Sequence, residues 1–431
     1  FLILKSFPIP AVSTFFDNIG WSVFFNQAYQ TTFAIISIWT AVGIAYVYAK
    51  NEKLEPLPVG LTSLSVFFLL QKLQVDAPLV GAMAKGGSGI TDAAGKTLYT
   101  SSQLAHQISQ LPDAIQTYLK SPVTNVINMT WLGGQGMIAA ILCGLLVGWT
   151  YTLMAKAGWE IKLPEQVPAN VANQFSAMIP SGVIITVAMV VYAIFDKALN
   201  TDLLNWIYKT LQIPLQGLSD SLGGGIILAF MVVFFWFFGV HGGLIMGGIG
   251  GAFLLPNSAD NARLLAEGKL SLENGAHIVT NEFYNNFINL TGSGITIGLV
   301  IFTLVGAKSV QFKSIGKVEL VPALFNINEP FLFGLPLVMN PWLAIPFFLT
   351  PVVVALSTYL VIKFGIVPPT GVAAPWTTPA VISGFFIGGW KMALWQACVL
   401  AISTAIYWPF AVKYDKYLKE QEDANVATDA Q

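Results

Sequence analysis

Charge is scarce in this sequence: Asp, Glu, Lys and Arg together supply 10% of its 431 residues. A soluble domain carries about 25%, so this chain cannot clothe a water-facing surface. The 55% share of hydrophobic residues points the same way, to a polytopic helical membrane protein. A formal net charge of −1 gives no footprint for a nucleic-acid partner. Cysteine is nearly absent. Cys143 and Cys398 sit in separate apolar runs without CxxC or His-rich spacing, and so read as buried small side chains rather than a redox or metal pair. There is no HExxH pair, no GxxxxGKS phosphate loop and no nucleophile elbow. No metal or cofactor is therefore expected, and any phosphoryl group transferred must come from elsewhere.

What is present is a series of apolar runs. FLILKSFPIP at the N-terminus is too short to span and reads as the end of a first helix that starts upstream. Runs at 32–49, 57–70, 133–155, 182–195, 223–253, 342–364 and 384–412 read as spans. Between them, 71–128 is polar, with a small hairpin and surface helices expected. Residues 162–180 read as an interfacial linker, and 203–211 as an amphipathic helix lying along the membrane. Trp131, Trp149, Trp159 and Trp342 fall near span ends, as interfacial anchors do. The basic residues predict that Lys50, Lys53, Lys156, Lys162, Arg263, Lys269 and the tail lysines share the cytoplasmic side. Lys308, Lys313 and Lys317 join them only if the run before them, broken by Asn285, Asn286 and TGSG, is re-entrant or crosses twice.

A second broken element follows, PALFNINEPFLFGLPLVMNP at 322–341. It places Asn326, Asn328 and Glu329 among apolar residues, hemmed in by Pro322, Pro330, Pro336 and Pro341. Prolines at this density forbid one straight helix. Polar groups on broken backbone are tolerated at membrane depth only where they line a cavity. Two such elements in one half of the chain point to the substrate site of a transporter. Glu329 is the leading candidate, an intramembrane acid whose bland alternative is capping a half-helix or pairing with a lysine. Asn326 and Asn328 suit sugar hydroxyls, and equally suit capping the interrupted helices. His241, flanked by glycine in FFGVHGG, is either a site residue or a histidine bonded to a neighbouring carbonyl. Trp236 and Trp376 are placed either to stack on a sugar face or to pack the core. His106 and His277 lie in or beside polar segments and take the bland reading.

NINEPFLFGLPLVMNP resembles the signature of the membrane-embedded enzyme IIC component of the bacterial sugar phosphotransferase system, in its lactose/cellobiose/N,N′-diacetylchitobiose class. FLILKSFPIP, LPEQVPANVANQFSAMIP, FFGVHGG and FINLTGSG also match it. The resemblance implies an all-α fold of about ten transmembrane helices, where the residues alone give nearer eight, with two re-entrant hairpins and interfacial amphipathic helices. It implies a homodimer in the cytoplasmic membrane, a dimerisation half at 1–215, a transport half at 216–412 and a cytoplasmic tail at 413–431. It also implies group translocation. A disaccharide, with diacetylchitobiose ahead of cellobiose and lactose, is held by Glu329, His241 and the neighbouring asparagines Asn326 and Asn328. Its 6-hydroxyl is then phosphorylated by a separate phospho-IIB protein, itself charged through IIA and HPr. Glu329 and His241 contact the reacting hydroxyl. A proton-coupled transporter that leaves the sugar unmodified is the alternative, and a channel or receptor a further one.

Overall fold

The computed structural model describes residues 7–75, 77, 90, 91, 97–161, 163, 164, 166, 168, 174–335 and 337–429, and Leu4. Much of the expected linker at 162–180, and residues 76, 78–89 and 92–96 in the 71–128 stretch, lie outside the described residues. The fold is helical, and five described helices are long and apolar enough to cross a membrane. A sixth is counted if Leu203–Ser219 and Leu222–Phe237, bent by 70°, act as one span. The chain divides into two compact units.

One unit holds 40–132 and 142–206. Its helices meet through small side chains, as membrane helices do where no water drives them together. Ser63 Oγ donates to the Ala41 carbonyl at 2.9 Å, Thr62 and Ser181 hydroxyls meet at 2.7 Å, and buried Cys143 lies 3.5 Å from the Ser63 carbonyl. Strand Ile90–Thr91 pairs with Thr97–Tyr99, and helices Ser101–Ser109 and Asp113–Lys120 follow. Thr100 and Gln103 close a capping box on the first.

The other unit holds 1–39, 133–141 and 207–431. Its main helices are α1 (Leu222–Phe237), α2 (Gly242–Ala266), α3 (Ile297–Val305), α4 (Val310–Leu324), α5 (Ala344–Lys363) and α6 (Ile382–Asp429), the last kinked where Gly388 and Gly389 leave helical geometry. Their core is aromatic: Phe283, Phe287, Phe302, Phe312, Phe331, Phe347 and Tyr407 are fully buried together. Outward faces stay apolar, with Ile227 63% and Val305 74% exposed, the inverse of a soluble surface. Cys398 is exposed on α6, against the expectation that both cysteines are buried.

The run expected as a single span at 223–253 is two helices. The chain reverses at 238–241, where Gly239 takes φ +79°, and helix then continues through Pro256 to Ala266, although the polar stretch 256–275 reads from sequence as a loop. Because the chain turns back at 238–241, Arg263 and Lys269 do not share an end with the tail lysines, against the expectation from charge. The α1 start, the α2 end and the α5 end share one end of the unit, where His277 Nδ1 meets Asp220 at 2.9 Å and the Tyr359 hydroxyl lies 3.5 Å from the Asp220 carbonyl. Arg263 and Lys269 are there. Lys308 and the tail are at the opposite end, where the Lys308 amide donates to Asp415 and the Met339 amide to the Phe237 carbonyl.

His277 lies between α2 and the half-helix that starts at Asn281, outside the spans. Burial alone would push its imidazole down, but hydrogen bonds to Asp220 and Asp260 outweigh it and raise it to about 9. The protonated ring lies 2.9 Å from Asp220 and 3.6 Å from Asp260, while Asp220 also takes the Ile278 and Val279 amides. A raised folded value contributes stability that is complete below the unfolded value of about 6.5 and is lost as pH rises through about 9. Thermal unfolding is therefore expected to fall between those pH values by several degrees more in the native protein than in His277→Gln. Parallel pH profiles for the two would remove the histidine from the account.

Candidate functional site

Two interrupted elements meet in this second unit. In the first, α2 past Pro256 pairs with the half-helix 281–288. Asn257 donates to the Val279 carbonyl, Ser258 to the Glu282 carboxylate and Asn261 to the His277 carbonyl. Its last turn, Tyr284–Ile288, is a π-helix, a local widening that redirects side chains and recurs at functional sites. Backbone then leaves helical form over 289–296 before α3 resumes. In the second, α4 rises to a break at 325–328, and the π turn Pro330–Gly334 returns the chain. It is a hairpin whose ends both lie at the tail end of the unit, as Gly334 against Ile315 and Trp342 against Tyr414 attest.

The TGSG tip requires its glycines. Gly292 and Gly294 take φ +93° and +85°, and a Cβ on Gly292 would fall 2.3 Å from Asn328 Cγ. That contact locks the two tips. Asn328 Nδ2 donates to the Ser293 carbonyl at 2.7 Å and the Thr296 hydroxyl at 3.0 Å. Asn326, itself at φ +64°, accepts the Thr291 amide at 2.7 Å and donates to the carbonyls of Trp376 and Thr378. Both asparagine carboxamides thus join separate stretches of irregular backbone, closer to the capping alternative than to free sugar ligands. Asn326 still lies on the cavity wall, and Asn328 is 3% exposed.

His241 and Glu329 come together. His241 is the N-cap of α2: its Nδ1 accepts the Leu244 amide at 3.1 Å, so the neutral ring carries its proton on Nε2. Nε2 lies 3.9 Å from Glu329 Oε1, and both side chains are 45% exposed. The other Glu329 oxygen accepts the Asn328 amide at 3.1 Å, which fixes the carboxylate. A separation of 3.9 Å is too long for a direct hydrogen bond. It does let one oxygen atom sit about 2.8 Å from each group, receiving the Nε2 proton and giving its own to the carboxylate.

This pair opens on a cavity of about 310 Å³, the lower end of the range for small-molecule sites. Trp236 backs His241 with ring centroids 4.3 Å apart, but is 3% exposed and packs rather than presenting a face. Trp376 is 55% exposed at the cavity edge, with a face free to stack. The cavity also gathers Tyr284, Asn285, Asn289 and Ser293, none of them singled out above as site residues. The Asn285 side chain has no hydrogen-bond partner among the described residues, whereas Asn289 receives the Ser293 hydroxyl. The signal was the density of asparagine in NEFYNNFINLTGSG, a polarity without purpose in a packed apolar helix.

Residues 1–351 match the family model for the phosphotransferase system, EIIC. The chain is 32% identical to the "Putative permease IIC component YwbA" of Bacillus subtilis (strain 168), over 98% of this chain and 88% of that one. It is 31% identical to the cellobiose-specific EIIC component of Geobacillus stearothermophilus, over 99% and 87% respectively. Among solved structures it resembles the transporter ChbC, the IIC component of the N,N′-diacetylchitobiose-specific phosphotransferase system. There the TM-score is 0.84 and the identity 30%, covering 98% of this chain and 90% of that one.

Proposed function

The chain belongs to the EIIC family of the phosphotransferase system, an integral membrane permease family, and from that premise we propose that it carries a disaccharide across the membrane by alternating access and presents the sugar's 6-hydroxyl to a phosphorylated IIB protein. The observation that carries this reading is the His241–Glu329 pair, 3.9 Å apart at the wall of a cavity rich in asparagine and tryptophan. In the reaction the hydroxyl oxygen attacks phosphorus and the bond from phosphorus to the IIB cysteine sulfur breaks. The thiolate leaves, and the hydroxyl proton passes to Glu329. The His241 Nε2 proton holds the oxygen in line, since phosphoryl transfer depends chiefly on positioning and charge.

The family's architecture supplies the rest of the proposal: a homodimer with its dimerisation half at 1–215, its transport half at 216–412 and a cytoplasmic tail at 413–431. In support, all the cavity-lining residues lie between Trp236 and Trp376, and Lys308, Lys313 and Lys317 stand on the hairpin whose feet rest at the tail end. N,N′-Diacetylchitobiose is the favoured sugar, as named for the similar solved structure, with cellobiose, named for one relative, and lactose next.

The test is calorimetric titration of the purified protein with the three sugars, followed by phosphorylation with phospho-IIB. Diacetylchitobiose is expected to bind at least tenfold more tightly than lactose and to appear as its 6-phosphate. Accumulation of unmodified sugar driven by a proton gradient, without IIB, would overturn group translocation.

A further inference from the structure

The α4 hairpin that carries Glu329 stands on the part of α6 beyond the apolar span. Asp415 and Glu422 are seven residues apart, two turns on one face of that helix. The Asp415 carboxylate accepts the Lys308 amide at 2.8 Å, the Ser309 amide at 2.9 Å and the Ser309 hydroxyl at 2.7 Å. Glu422 accepts the Val310 and Gln311 amides, both at 3.0 Å. These four consecutive amides open α4, where a helix has no carbonyl partners of its own and where negative charge is favoured. The returning limb rests on the same helix: the Trp342 ring stacks on Tyr414 and Tyr417, with centroids 6.2 and 5.1 Å away. Both feet of the hairpin are thus gripped by residues 414–422, in a region that composition alone would leave frayed.

We propose that this C-terminal helix is the platform that positions the phosphorylation centre, with Asp415 and Glu422 as positioning residues that set where Glu329 stands against His241. The inference rests on the reading of Glu329 as the base. Sugar affinity is spread over the cavity lining, in which Glu329 is one contact among several. The chemical step instead depends on one distance, and a displacement near 1 Å can cost on the order of a hundredfold in rate.

The experiment uses the full chain with Asp415→Asn, Glu422→Gln and the double variant, each measured for sugar affinity, phosphorylation rate with phospho-IIB, and thermal unfolding. The double variant is expected to phosphorylate about tenfold or more slowly while its sugar Kd stays within about twofold of the native value. Glu422→Asp, which keeps the carboxylate, is expected to recover most of the rate. Unchanged phosphorylation in the double variant overturns the platform. So does a fall in rate that merely tracks a loss of binding and of folded protein. If Glu329→Gln also phosphorylates normally, the functional reading itself has failed; if Glu329→Gln is inactive and the double variant is not, only the platform has.

Discussion

Glu329→Gln is expected to lower sugar phosphorylation by about a thousandfold while the protein still folds and binds its sugar. The substitution keeps the shape of the side chain and leaves an oxygen able to accept the Asn328 amide, so the local turn retains its support. What is lost is the proton acceptor. General-base catalysis contributes roughly 10²–10⁴-fold, and among the described residues no second carboxylate lines the cavity to replace Glu329. His241→Ala is expected to be slow as well. Its defect should be smaller at the chemical step and larger in affinity, because the ring acts as a donor and also caps α2 through Leu244. Single-turnover phosphorylation beside calorimetric binding separates the two effects. Native rates in both variants would dismiss the pair as the reacting centre.

Gly292→Ala should be damaging out of proportion to its single added carbon. The new methyl would fall 2.3 Å from Asn328 Cγ and 2.5 Å from its Oδ1, on backbone at φ +93°. Left-handed strain of roughly 1–2 kcal/mol and overpacking of about 1–3 kcal/mol act together. Relief requires Asn328 to move, which breaks its bonds to Ser293 and Thr296 and shifts the residue next to Glu329. The expected result is a fall in unfolding temperature together with sugar affinity weakened at least a hundredfold. Gly248→Ala is the control, since a Cβ there meets nothing within 4 Å. Equal behaviour of the two alanine variants would mean that the TGSG tip is not the tight junction described.

Much of this site is legible in the amino-acid sequence itself. Glu329 stands out because an acid among prolines and apolar residues has few physical explanations, and His241 because glycine surrounds it. The family resemblance joins them, though they are 88 positions apart in sequence. The roles of Asn326 and Asn328 are not decidable from sequence, since an asparagine that binds a sugar and one that bridges backbone look alike until partners are visible. Trp236 cannot be told from Trp376 for a similar reason: stacking and packing differ only in exposure. The charge-based orientation goes astray at one point, the reversal at 238–241. A four-residue turn inside an unbroken apolar run leaves no polar gap for hydropathy to detect, and it is what separates Arg263 and Lys269 from the tail lysines.

The bonds made by Asn326 have a consequence for biosynthesis. Its side chain joins Thr291, 35 residues earlier, to Trp376 and Thr378, 50 and 52 residues later. During translation the first two stretches emerge well before the third, so the hairpin tip waits at membrane depth with donors still unmatched. The candidate cavity is therefore among the last parts of the chain to close, and nascent chains ending before residue 376 should insert but not bind sugar.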